Sequence, residues 1–149
     1  MAVRVQEAAF DTGAEIAAAG AGNHDVGAVV SFTGRVRDMG GGAEQAMTLE
    51  HYPGMTEAEL QRIEAEAHRR WPLAATTIVH RVGRLRPGEP IVLVIAASRH
   101  RRAAFEAAEF LMDYLKTRAP FWKKEETAEG ATWVDARESD DESAARWGG

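Results

Sequence analysis

Residues 91–98 (IVLVIAAS) form an unbroken apolar run of strand length, which predicts a central strand covered on both faces. Residues 76–82 (TTIVHRV) alternate instead, as a half-buried strand does, and RPGEP (86–90) between the two reads as a turn. Two further strand patterns precede them. Residues 27–37 (GAVVSFTGRVR) are interrupted by Gly34, and AMTLEHY (46–52) is closed by a turn at Pro53-Gly54. Helical spacing is clearest over 56–70, where Leu60, Ile63, Ala67 and Trp71 recur on one face and Pro72 ends the element. Thr56 and Glu59 there have the spacing of a capping box. A second helix is predicted from about Arg102 to Arg118, with Phe105, Ala108, Met112 and Leu115 on one face, Leu111 beside them and Pro120 as the stop. A short helix over 11–19, capped by Asp11 or Thr12, ends at Gly20–Gly22. FWKKEET and ATWVDARE flank a turn at Ala128–Gly130 and predict a hairpin. The glycine loop at 38–43 lacks phosphate-loop spacing. Strands, helix, strands, helix and hairpin in this order predict an α+β fold in one domain spanning 1–149.

Composition sharpens this picture. Apolar residues make up 45% of the 149, but 28 of them are Ala, so the core is thin and a partner surface would help complete it. No apolar run approaches the length of a membrane span, and no secretory leader pattern opens the chain, so a cytoplasmic protein is expected. The absence of Cys removes disulfides, thiolate metal sites and a cysteine nucleophile. A net charge of −5 argues against a general nucleic-acid binder. The basic residues nevertheless gather: Arg99, Arg101, Arg102, Lys116, Arg118, Lys123 and Lys124 share one short stretch. A basic cluster on an acidic chain points to a local anion site.

Arg outnumbers Lys by 15 to three, and all three Lys lie between positions 116 and 124. A guanidinium stays protonated, whereas a partly desolvated amine can exchange a proton or attack an electrophile, so a lysine-based active site is one reading. The other is that Lys116 and Arg118 merely complement the dipole at a helix C-terminus. Ser98-Arg99-His100-Arg101-Arg102 leaves the central strand and enters a helix, a place where His100 and Arg101 could grip a phosphate. Arg35 and Arg37 flank a strand glycine, Gly34, beside which a ligand could approach the backbone. His24, His51, His68 and His80 have no metal-ligand spacing, so no metal site is expected. Trp71, Trp122 and Trp133 read as core or interface anchors, and the acidic segment 135–142 as a solvated face. The terminal Gly148-Gly149 resembles the end of a ubiquitin-like carrier, but no residues are left over to build such a domain.

Six segments together resemble one family: FTGRVR (32–37), LEHYPGM (49–55), HRVGRLRPGE (80–89), SRHR (98–101), FLMDYLKTRAPFWKKE (110–125) and WVDARESD (133–140). They are similar, in order and spacing across about 26–140, to the large, catalytic subunit of molybdopterin synthase, the MoaE family. Residues 1–25 and 141–149 carry little of the likeness. The resemblance implies an α/β hammerhead fold with an additional small antiparallel sheet. It implies a sulfurtransferase that converts cyclic pyranopterin monophosphate to molybdopterin by installing two dithiolene sulfurs. The sulfur would arrive as a thiocarboxylate on the C-terminal Gly-Gly of a small ubiquitin-like carrier of the MoaD type. A homodimer of large subunits would hold one small subunit at each end, a heterotetramer, with no cofactor, nucleic acid or membrane involved.

By the same resemblance Lys116 and Lys123 are the catalytic pair, and Phe32, Arg37, His100, Arg101 and Arg137 line the substrate pocket. Lys124 gives electrostatic support. Proton transfer during ring opening suits Lys, while fixed Arg donors suit a phosphate. Without the resemblance, the same Arg and His residues would also serve a non-catalytic module binding a phosphorylated small molecule or a ubiquitin-like tail.

Overall fold

A computed structural model of the chain describes residues 1–38, 45–127, 130–134 and 138–148. Its first sheet has the order β1-β4-β6-β2, formed by β1 (Ala2–Gln6), β2 (Ala28–Arg35), β4 (Leu73–Arg81) and β6 (Pro90–Ser98). Only the β1–β4 pair is parallel. The second sheet, order β5-β3-β7-β8, is antiparallel and consists of β3 (Ala46–His51), β5 (Gly83–Leu85), β7 (Phe121–Thr127) and β8 (Gly130–Val134). Among the described residues four helices complete it: α1 (Thr12–Ala18), α2 (Met55–Arg70), α3 (Arg101–Arg118) and α4 (Glu138–Ala145). The α+β class and the added antiparallel sheet are as expected.

The apolar run 91–98 is central because both faces are covered. Val92 and Val94 join Ile78 beneath α2 and α3, where Leu60, Ile63, Phe110, Leu111 and Leu115 meet them. Leu93 and Ile95, pointing the other way, pack with Val79 against Phe10, Ile16 and Ala19 of the α1 side. Each such fully buried aliphatic side chain contributes roughly 1.5–3 kcal/mol. A smaller cluster of Val36, Met47, Leu49, Val82 and Leu85 joins the two sheets, with Phe121 packed on it.

Several local expectations change. The α2 cap is Gly54, at φ 86°, whose N–H donates to Glu57 Oε1 at 2.9 Å. Thr56 is instead buried inside the first turn, accepting from the Tyr52 N–H and donating to the Pro120 carbonyl, both at 2.9 Å. Glu59 pairs with Arg62. On α3 the buried positions are Ala104, Ala107, Ala108, Phe110, Leu111, Tyr114 and Leu115, while Phe105 is exposed. Ala107 and Ala108 pack with Ala96 of β6, so the helix meets the sheet on that face and Phe105 faces out. Trp71 packs edge-on against Phe110, but Trp122 and Trp133 lie open, so neither is a core anchor of this chain. Residues Glu138–Ala145 fold as α4, which docks on α3 while Asp141 and Glu142 stay exposed, as a solvated face requires. Trp147 Nε1 donates to Asp113 Oδ2 at 2.7 Å, and its ring meets those of Trp71 and Phe110 edge-on. The α1 cap is Asp11, one of the two expected, and its Oδ1 accepts from the Ala14 N–H at 3.0 Å.

Candidate active site

The two ends of α3 carry most of the candidate residues. At its start, the turn out of β6 is pinned by close backbone packing: a Cβ on Gly27 would lie 2.3 Å from the Arg99 carbonyl oxygen. Gly27 N–H donates to the Ser98 carbonyl at 3.0 Å, and Ser98 Oγ donates to the Pro72 carbonyl at 2.8 Å. His100 occupies the N-cap without a side-chain capping bond, and Arg101 follows, both exposed beside free helical N–H groups. Arg102 is engaged by Glu106 at 3.1 Å. This end attracts anions.

At the other end, Lys116 stands in the last turn of α3 and Lys123 in β7 just beyond. Strand alternation sets the faces of the second sheet. Phe121, Lys123 and Glu125 lie opposite His51, Leu49 and Met47, so Lys123 emerges from the face that packs on the small core. Glu125 sits 3.7 Å from Lys123 Nζ. Lys124 falls on the opposite face, over the Trp133 ring at 5.9 Å, and so does not share the Lys123 face. Arg37 is exposed just after β2, at the same end of the first sheet as the start of β6. It is held there because Val36 exchanges backbone hydrogen bonds with Glu89 and Gly88.

The region around Lys116 includes two histidines that metal-ligand spacing did not select. His80, 4% exposed, stacks on Phe121 with ring centroids 3.9 Å apart. Its pKa is pulled down to about 4, chiefly by burial, with the charges of Lys116 and His51 adding to the effect. The ring is therefore neutral at neutral pH. His51, across the strand pair from Phe121, lies 3.8 Å from Glu57.

Phe32 sits midway, on the edge strand β2, and is 44% exposed. The space beside Gly34 is not open to a ligand: a Cβ there would meet Val92 Cγ1 at 2.7 Å and the Phe32 ring at 3.5 Å. That glycine serves packing, and Arg35 is tied to the Gly88 carbonyl at 3.1 Å. Arg137, Gly149 and the glycine loop 39–43 lie outside the described residues. Among the described residues, no three His, Asp or Glu side chains gather as metal ligands, and no helix is long and apolar enough to cross a membrane.

One chain thus brings Lys116, Lys123 and Arg37 to one end and leaves His100 and Arg101 at the other. Fifteen residues of α3 separate Arg101 from Lys116, roughly 22 Å of helix axis. Sequence reasoning missed Glu125, although its two-residue spacing from Lys123 in a strand places both on one face. It also missed His80 and His51, which needed the sheet pairing.

A two-sheet α+β chain with a lysine corner at one end of its main helix and an exposed basic turn at the other defines the class. The model of the MoaE protein family matches residues 5–118, and the chain belongs to that family. The molybdopterin synthase catalytic subunit of Pseudomonas aeruginosa is 62% identical over 148 residues, covering 99% of each chain. The solved molybdopterin biosynthesis MoaE protein of Burkholderia ambifaria superposes with a TM-score of 0.85 at 55% identity, over 99% of each chain. The molybdopterin synthase of Staphylococcus aureus gives 0.80 at 33% identity, over 88% of this chain and 95% of that one. The likeness therefore reaches the N-terminal residues as well as the six sequence segments.

Proposed function

We propose that this chain, a sulfur-transferring enzyme of molybdenum cofactor biosynthesis, acts as the catalytic subunit of a cytoplasmic molybdopterin synthase through Lys116 and Lys123. Its substrate is cyclic pyranopterin monophosphate, and the product carries a dithiolene. Sulfur is delivered by the thiocarboxylated C-terminal glycine of a small ubiquitin-like subunit. The carrying observation is the lysine corner: of three lysines in a chain of 15 arginines, the fold brings Lys116 and the inward-facing Lys123 to one end of α3. Lys116 exchanges protons at the pterin, which a guanidinium cannot do. Lys123, beside Glu125, guides and activates the incoming thiocarboxylate.

His100 and Arg101 are too far along α3 to meet Lys116 in one chain, so the phosphate-binding turn serves the lysine corner of a second copy. The edge strand β2 supports that pairing, because Val29 and Phe32 are exposed along it and Phe105 is exposed on the neighbouring α3. A single domain of this size then acts as a homodimer with two composite sites. The deciding experiment mixes the protein with thiocarboxylated small subunit and pyranopterin monophosphate and assays the dithiolene product. Product formation that needs all three components is expected; its absence with a competent partner overturns the reading.

A further inference from the structure

The two lysines belong to different elements, and their relative placement rests on the short connection between α3 and β7. That connection is held at two points. The Thr56 hydroxyl donates to the Pro120 carbonyl at 2.9 Å, and the next residue, Phe121, stacks on His80 at an interplanar angle of 20°. His80 belongs to β4 of the first sheet and Phe121 to β7 of the second, so the stack ties one sheet to the other beside Lys116. The His80 ring is itself oriented by a hydrogen bond, Nδ1 to the Arg81 carbonyl at 2.8 Å. A carbonyl only accepts, so Nδ1 carries the proton. A phenyl ring would keep the stack on Phe121 and lose only this bond.

We propose that His80 is a positioning residue for sulfur transfer: its oriented ring holds Phe121, and so sets where Lys123 stands relative to Lys116. This rests on the functional reading above, in which both lysines act on one substrate. Misplacing a reacting group by about 1 Å can cost on the order of a hundredfold in rate. His80 is buried and acts without touching substrate. Its effect passes entirely through Phe121 and β7.

The test compares His80→Phe, which keeps a ring to stack, with His80→Asn, which keeps a donor near the Nδ1 position and removes the ring. With wild-type activity established first, His80→Asn is expected to lower kcat about ten- to a hundredfold with KM for the pterin monophosphate changed less than about twofold. His80→Phe is expected to stay within about fivefold of wild type on the same scale. If His80→Asn fails to fold, Phe121→Leu removes the stack from the half-buried side and should reproduce the kcat loss. NMR of the Lys116 and Lys123 side chains provides a readout independent of turnover: their resonances should shift in His80→Asn or Phe121→Leu while those of Ala28 and Val29, at the far end of the first sheet, stay. Unmoved lysine resonances, a loss confined to KM, or a His80→Phe variant as impaired as His80→Asn would overturn the proposal. A wild-type protein that makes no dithiolene would overturn the functional reading instead, and the NMR comparison would still decide on His80.

Discussion

Two individually defective chains should rescue each other. Lys116→Arg keeps the charge but removes the exchangeable amine, so turnover should fall about 10²–10⁴-fold. Arg101→Ala loses a charge-assisted hydrogen bond to the phosphate, about 1.5–3 kcal/mol, and so about ten- to a hundredfold in substrate affinity. These residues are separated by roughly 22 Å of α3, so under the proposed function an intact site takes its lysine from one protomer and its arginine from the other. Random exchange makes about half of the dimers mixed, by two-fold symmetry. Each mixed dimer has one site with both residues intact and one with neither. About a quarter of all sites should therefore recover, and activity with them, when substrate is kept below KM. The assay is dithiolene formation after exchange of differently tagged chains, with mixed dimers verified by native mass spectrometry. If verified mixed dimers are no more active than the mean of the parents, both residues act within one chain and the composite site is wrong.

Three other outcomes follow from buried and partly buried groups. His80 has a folded pKa of about 4, below the ordinary value of 6.5, so stability is fully present above pH 6.5 and is lost as pH falls towards 4, by about 3 kcal/mol from this group; denaturant titrations across that range should show this component in wild type and not in His80→Phe. Glu64, 2% exposed, has its pKa raised, chiefly by desolvation, so its ionisation opposes folding once pH exceeds the unfolded value. Its Oε2 accepts from both Thr76 Oγ1 and the Ala2 N–H, bonds that an amide oxygen can keep, so Glu64→Gln should be neutral or stabilising at pH 7; a loss above about 1 kcal/mol in the same titrations would refute this. Trp147→Phe removes the bond to Asp113 but keeps a ring against Trp71, so α4 should lose about 1–2 kcal/mol of protection in hydrogen exchange, with β6 unaffected.

The strands and long helices are legible because burial imposes a period that survives in the sequence. Residues 91–98 read as a doubly covered strand and are one, since α2 and α3 cover one face and α1 covers the other. Where the pattern misleads, a tertiary partner replaces a local one. Thr56 has the spacing of a cap, but Pro120, distant in sequence, claims its hydroxyl. Phe105 has the spacing of core, but the alanines of α3 bring the sheet to a different face of the helix. β1 and β5 are not anticipated: one is a short edge strand paired in parallel with β4, and the other has only three residues. The α4 segment is acidic and weakly periodic, and a single tryptophan beyond it supplies much of the docking.

For the site, residue chemistry is legible in the sequence and residue placement is not. The scarcity of lysine marks the group Lys116, Lys123 and Lys124, because only an amine offers both charge and an exchangeable proton, and the family resemblance selects Lys116 and Lys123 within it. Sequence proximity then suggests that His100, Arg101 and the lysines form one basic cluster. A helix intervenes, and a rigid helix converts nearness along the chain into distance along an axis. The same geometry that separates them within a protomer makes them suited to meet across a two-fold axis, where one copy's α3 start can face another copy's α3 end. The thin, alanine-rich core and the exposed Phe32 and Phe105 then have a common cause: the surface that lacks cover in the single chain is the one on which a second chain would complete the site.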